Sequence, residues 1–294
     1  MRTRAPEPMG DTPAPRVSVV IPTYNMERHI ARTLGCVTNQ TFASLEVLVV
    51  DDCSTYTTPS IVKALAEQDR RIRYIRLEKN SNLPAVPRNV GILQSRGEYV
   101  AFLDHDDTWT RGKLACQVAL LDKYPEVDMA HAPLWVHVYG NRYRGLTRLP
   151  NPAYMKTTLK TLLKRNTVMC SSAIVRKSSL DRIGGFDEDP GLRTVEDYEL
   201  WLRIASKGII KFQPFICGSY FYEPSGALSQ ENVGDRIAWL RISTGLLIDD
   251  PRPSSRPAMF AQLLTAPITC LACAAYTLAR LPSGDRAQTF NRNS

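Results

Sequence analysis

Tyr99-Val-Ala-Phe-Leu-Asp-His-Asp-Asp-Thr-Trp109 is the stretch on which the fold turns. Tyr99, Val100, Phe102 and Leu103 are strand formers in a short apolar run. The run ends in three carboxylates, Asp104, Asp106 and Asp107. Acids gathered after a buried strand repel one another unless positive charge sits among them. A divalent cation carrying phosphate oxygens supplies that charge, since hard oxygen ligands suit Mg²⁺ or Mn²⁺. The same residues also suit an acidic turn capping the next helix, because Asp favours turns and helix N-termini. The stretch alone leaves both readings open.

Upstream of it, Val17-Ser-Val-Val-Ile-Pro22 has the length of a buried strand and leads into Thr23, Tyr24 and Asn25. Ile30, Leu34 and Val37 then share one helix face. Leu45 to Val50 is a second strand, ending in the polar loop Asp51-Asp52-Cys53-Ser54-Thr55. Ile61, Val62 and Leu65 mark a helix, Ile72 to Leu77 a third strand, and Pro84 to Ser95 a further helix with Gly97 just beyond. After the opening stretch, Leu114, Val118 and Leu121 mark a helix ending before Pro125. Alternating strand and helix predict βαβ units and a mostly parallel sheet. Such sheets bind ligands at the carboxyl ends of their strands, and the polar residues gather at three of those ends. No GxGxxG or GxxxxGK[ST] is present, which excludes a dinucleotide fingerprint and a P-loop.

The second half is less regular. Val127 to Val138 reads as a strand carrying His131, Trp135 and His137, the histidines being structural. Tyr139 to Pro152 is linker-like. Leu159 to Leu163 reads as a helix, Ala173 to Val175 as a strand, and Ile183-Gly-Gly-Phe-Asp-Glu188 as a turn. Thr194 is the expected N-cap of a helix bearing Asp197, with Leu200, Trp201 and Ile204 on its buried side. A strand is expected over Ile209 to Ile216 and a helix over Glu231 to Leu247. Ala258 to Ala279 carries no charge over 22 positions, flanked by Arg252, Arg256, Arg280 and Arg286. It is long enough to span a membrane, but Gln262 and Pro267 favour surface contact or packing instead.

The composition, 44% hydrophobic and 22% charged, is that of a globular protein. The net charge of +8 is scattered, with no basic block or nucleic-acid module, so it points to an anionic small substrate or a membrane surface. Nucleic acid is not an expected partner. The seven cysteines sit mostly in apolar runs, and Cys270-Leu-Ala-Cys273 lacks a second pair or a His to make a metal site. Reduced thiols and a cytoplasmic location follow. Met1 to Pro15 has no apolar signal region and reads as a tail.

Six motifs in order resemble the family-2 glycosyltransferases with the GT-A fold: Val17-Ser-Val-Val-Ile-Pro-Thr-Tyr-Asn25, Leu48-Val-Val-Asp-Asp-Cys-Ser54, Pro87-Arg-Asn-Val-Gly91, Gly97 to Asp107, Gly184-Gly-Phe-Asp-Glu188 and Glu196-Asp-Tyr-Glu-Leu-Trp201. The resemblance implies an α/β, Rossmann-like central sheet flanked by helices, with a helical C-terminal extension. It implies a domain over 16–222, with a nucleotide half (16–126) and an acceptor half (127–222), an extension over 223–281, and tails at 1–15 and 282–294. It implies donor contacts from Pro22, Thr23, Tyr24, Asn25, Asp51, Asp52, Arg88, Asp104, His105 and Asp106, with Tyr24 stacking on the base and Asp52 accepting from it. Asp104 and Asp106 match the family's DXD metal pair, for Mn²⁺ or Mg²⁺, while Asp107 is expected to cap the following helix. Asp197 matches the catalytic base, and the resemblance places Glu196 beside it in the catalytic site, contacting the acceptor or orienting the base. Gly185, Phe186, Asp187 and Trp201 are acceptor-side candidates.

The activity implied is inverting transfer of one sugar from a nucleotide-diphosphate sugar, UDP favoured, to a glycan or glycolipid acceptor in cell-surface polysaccharide synthesis. Gln230 to Trp239 holds the residue types of the processive members' QxxRW motif but not its spacing, which implies a non-processive enzyme. The implied location is cytoplasmic, with contact to the inner face of the plasma membrane through 258–281. A nucleotidyltransferase is the nearest rival, but Pro22-Thr-Tyr-Asn25 lacks the Gly-rich basic loop it needs. A non-catalytic nucleotide-sugar binder is the other, and Asp104, Asp106 and Asp197 together argue against it.

Overall fold

The computed structural model describes residues 14–138, 144–146, 157–164 and 166–222. Residues 1–13 of the expected tail, most of the linker-like patch, the 231–247 helix, the uncharged 258–279 segment and the CxxC pair lie outside them.

The chain runs β1 (Val17–Thr23), α1 (Ile30–Thr38), β2 (Leu45–Asp51), α2 (Thr58–Gln68), β3 (Ile72–Arg76), α3 (Ala85–Gln94), β4 (Tyr99–Phe102), β5 (Thr108–Trp109), α4 (Lys113–Lys123) and β6 (Met129–His131). It continues β7 (Leu134–Val138), β8 (Arg144–Leu146), α5 (Leu159–Lys164), β9 (Ile174–Arg176), α6 (Lys177–Ile183), α7 (Glu196–Lys207), β10 (Ile210–Phe212) and β11 (Gly218–Tyr222). Every strand and helix expected up to Pro125 is present, with the short β5 added between β4 and α4.

A seven-stranded sheet has the order β10-β6-β9-β4-β1-β2-β3. Its core is parallel: β1 runs beside β2 from Val17↔Leu45 to Thr23↔Asp51, and beside β4 from Val17↔Tyr99 to Val20↔Phe102. One antiparallel strand, β9, is inserted between β4 and β6. Both faces are covered, so β1 and β2 are apolar on both sides. Val17, Val19 and Ile21 pack with Ile30 and Leu34 of α1, Val62 of α2 and Leu114 of α4. Val20 faces the other way, with Leu48, Phe102, Ile92 of α3 and Leu200 and Trp201 of α7. A second sheet, β5-β11-β7-β8, stands beside the first. No helix among the described residues is long and apolar enough to cross a membrane.

Three expectations for the second half are corrected. Val127 to Val138 is two strands in different sheets, β6 and β7, broken at Ala132-Pro133. Pro133 has no N–H to give a ladder; its carbonyl accepts from the Cys217 amide instead (2.9 Å). The strand expected over Ile209 to Ile216 is confined to Ile210–Phe212, ahead of Pro214. Thr194 is not the N-cap of α7, which begins at Glu196 with Val195 in the cap position. Thr194 instead takes φ 78°, in the left-handed region. Helix α6 and strands β5, β8 and β11 were not expected from the sequence, β8 lying within the linker-like patch from Tyr139 to Pro152.

Candidate active site

Parallel in-register pairing sets the site. Because Thr23 lies opposite Asp51 and Val20 opposite Phe102, the loops after β1, β2 and β4 leave the sheet at one rim. The Asp52 amide donates to the Thr23 carbonyl (2.8 Å), and a ring nitrogen of His105 (Nδ1) lies 2.9 Å from the Pro22 carbonyl, tying the three loops together. The Asn25 side chain accepts from the Thr55 amide (2.8 Å), and its own amide donates to Ser54 Oγ (2.9 Å). Asn25 and Cys53 take φ of 51° and 64° to make these turns. Tyr24 is left 40% exposed on this rim. Thr23 is buried and its hydroxyl has no partner among the described residues.

The two acids after β2 separate cleanly. Asp51 has no exposure, and its carboxylate is taken up by the Ser54 amide (2.9 Å) and hydroxyl (2.5 Å), the Tyr74 hydroxyl (2.5 Å) and Arg76 (3.1 Å). Asp51 is thus held by four donors of its own loop and of β3. Asp52 is held by a single residue, accepting from the amide (2.8 Å) and hydroxyl (2.9 Å) of Ser81. One lone pair on each of its oxygens remains for a ligand.

Arg88, on α3, is buried and joins two elements distant in sequence. It donates to Asp104 Oδ1 (2.7 Å), after β4, and to Glu196 Oε1 (2.5 Å), in the first turn of α7. Its guanidinium also lies over the Phe186 ring, 5.3 Å from the centroid. Glu196 Oε2 and Arg88 Nε are buried without a hydrogen-bond partner among the described residues. Such atoms are costly unless something completes them. Asp197 follows Glu196, and its carboxyl is pushed up to about 7 by burial, with the Glu196 charge adding to the shift and Arg88 opposing it.

Asp106 is half-buried. Burial raises its carboxyl, His105 opposes the shift and Asp104 adds to it. No arginine or lysine among the described residues pairs with Asp106. The described residues hold no cluster of three or more metal-ligating side chains. Two carboxylates are nonetheless what a hard cation needs when donor phosphates and water complete its shell, so Asp104 and Asp106 fit Mg²⁺ or Mn²⁺.

Asp107 does not cap α4, which starts at Lys113 behind Gly112. It is fully buried, accepting from Ser171 Oγ (2.5 Å) and the Phe221 amide (3.0 Å). Its carboxyl is raised well above the usual range by burial and then by the charges of Asp106 and Asp104. Among the acceptor-side candidates, Trp201 has no exposure and Phe186 only 4%; they pack edge-on (6.3 Å) and with Phe102, so neither side chain has surface for an acceptor. Gly185 lies tight against Asn89, whose Oδ1 would sit 2.3 Å from an added Cβ. Asp187 is exposed and caps its own turn by accepting from the Asp189 amide (2.9 Å).

The sequence model of Glycosyl transferase family 2 matches residues 18–184, from β1 to the end of α6. The chain belongs to this family. As a family-2 glycosyltransferase it is 31% identical over 198 residues to TuaG of Bacillus subtilis, named for teichuronic acid biosynthesis, covering 67% of this chain and 75% of TuaG. It is 39% identical over 111 residues to TarS of Staphylococcus aureus, a poly(ribitol-phosphate) β-N-acetylglucosaminyltransferase, covering 37% of this chain and 19% of TarS. The fold of this glycosyltransferase is shared with a TarS fragment bound to UDP-GlcNAc (TM-score 0.69, 24% identity, 85% of this chain and 71% of that one). It is also shared with a Pyrobaculum calidifontis mannosyltransferase bound to GDP-mannose and Mn²⁺ (TM-score 0.64, 24% identity, 91% and 75%).

Proposed function

We propose that this enzyme moves one sugar, with inversion, from a nucleoside diphosphate sugar to an acceptor hydroxyl during cell-surface polysaccharide or glycolipid synthesis. The observation that carries the reading is the grip of Arg88 on Asp104 and Glu196 at once. It brings the donor-side acid and the helix turn bearing Asp197 to one rim, although they are far apart in sequence. In this reading Tyr24 stacks on the base and Asp52 accepts from its N–H, which suits uracil. Asp104 and Asp106 hold the divalent cation, which when bound neutralises charge building on the diphosphate leaving group. Asp197 takes the proton from the acceptor hydroxyl, and a carboxyl lifted to about 7 is basic enough to do so near neutrality. One base and one displacement invert the anomeric centre. Teichuronic acid and poly(ribitol-phosphate), which appear in the relatives' names, support an envelope glycan as acceptor. Peripheral attachment to the inner face of the membrane belongs to the same reading.

The test is a panel of UDP- and GDP-sugars with Mn²⁺, scored for transfer and donor hydrolysis, with Asp197→Asn alongside. Asp197→Asn is expected to bind donor as wild type does and to lose about 10²–10⁴ in turnover. Near-normal transfer by the variant would remove Asp197 as base. A wild type that binds donors yet never turns over would favour a nucleotide-sugar binder.

A further inference from the structure

The acid loop contains a tie that spans it from end to end. Ser171 lies in a single 3₁₀ turn, Cys170–Ser172, just before β9, and is 1% exposed. Its hydroxyl accepts from the amide of Asp104 (3.1 Å), where the loop begins. The same hydroxyl donates to the Asp107 carboxylate (2.5 Å), where the loop ends. Its carbonyl accepts from the Trp109 indole N–H (2.6 Å), two residues further on. The other oxygen of Asp107 accepts from the Phe221 amide of β11 (3.0 Å). From the opposite side, α1 holds the loop's carbonyls. Thr33 Oγ1 lies within hydrogen-bond reach of the carbonyls of His105 (2.8 Å) and Asp107 (2.9 Å), and Arg32 donates to that of Asp106 (2.6 Å). The backbone from 104 to 107 is thus fixed by groups that leave the Asp106 carboxylate free to face a ligand.

We propose that Ser171, backed by Asp107, is a positioning residue that sets the separation and aim of Asp104 and Asp106. A metal held through these two carboxylates depends on their spacing, because no other metal-ligating side chains cluster with them among the described residues. Ser171 fixes that spacing by holding the amide before the pair and the carboxylate after it. Asp107 is then the anchor of the pair and not a third ligand. The proposal rests on the reading of Asp104 and Asp106 as the metal pair.

The experiment measures Mn²⁺ binding in the presence of UDP, by paramagnetic resonance of free Mn²⁺, without turnover. Ser171→Ala is expected to weaken Mn²⁺ by about tenfold or more, the usual cost of losing a group that orients a metal ligand. Its affinity for uridine, which carries no phosphate, should stay at the wild-type value. Asp107→Asn keeps an acceptor for Ser171 but turns an amide group toward the Phe221 N–H, and should weaken Mn²⁺ in the same direction. If Ser171→Ala does not fold, Asp107→Asn decides. Unchanged Mn²⁺ affinity in a folded variant overturns the positioning role. A wild type that binds no Mn²⁺ with UDP is a distinct result: it removes the metal reading itself, and the role of Ser171 with it.

Discussion

Single residues carry the chemistry, and their environments can be ranked. Asp197 sits beside Glu196 in a site that takes both from water, and its carboxyl rises to about 7 as a result. In the proposed reading Asp197 is the base and works only when deprotonated, so kcat should climb with pH through about 7 and then level off. Below that point each pH unit should cost about tenfold. Removing the neighbouring charge with Glu196→Gln should move this inflection toward lower pH, which a pH–rate series will show. The acids also mark the limit of what the chain's letters reveal. Asp51 and Asp52 are adjacent and chemically identical, yet one is spent on four donors and the other is held by Ser81 alone. Tyr74 and Arg76, which consume Asp51, come from the next strand, and nothing in Asp51-Asp52-Cys53-Ser54 announces them. Asp107 was hidden for the same reason: its partners, Ser171 and Phe221, are 64 and 114 positions away.

Elements were legible where burial on both faces leaves a continuous apolar run. β1, β2 and β4, with α1 to α4 between and after them, stand as the hydrophobic spacing predicts. The second sheet was not, because its strands are short and partly wet: β5 has two residues, and Trp135 of β7 is 39% exposed. A strand of that kind is stabilised by its neighbours and not by its own pattern. The seating of α3 on β1 offers a test. A Cβ on Gly91 would lie 2.3 Å from one methyl of Val20 and 2.9 Å from the other. Gly91→Ala should therefore push α3 away from β1 and lower stability by about 1–3 kcal/mol, an overpacking cost. Thermal unfolding should fall by several degrees. Donor affinity should weaken with it, since α3 carries Arg88 to the rim.

At the scale of the whole molecule, ligand and proton linkage should both be visible. A nucleoside diphosphate sugar at about 100 times its Kd should stabilise the fold by about 2.7 kcal/mol. With Mn²⁺ present that shift should appear in differential scanning fluorimetry, and EDTA or Asp106→Ala should remove most of it. His131 supplies the acid limit. It is buried on β6 with Nε2 2.6 Å from Thr157 Oγ1, and burial pushes its pKa down to about 3. The unfolded chain binds that proton near pH 6.5, so the contribution of His131 is full above this pH. It is lost as pH falls toward 3, at up to about 1.4 kcal/mol per unit. His131→Gln should flatten the fall in stability between pH 6.5 and 4.5 relative to wild type.

The hydrogen bond from Phe221 to Asp107 also has a consequence in time. During synthesis the acid loop leaves the ribosome 114 residues before the amide that secures it. At 5–20 residues per second that gap lasts on the order of ten seconds. The strands β1 to β4 can pair during that interval, while the acid loop waits for β11. In the proposed reading, competence to hold a charged donor is thus acquired late in translation, and a nascent chain stopped at residue 184 would lack both the Phe221 amide on Asp107 and the Glu196 partner of Arg88.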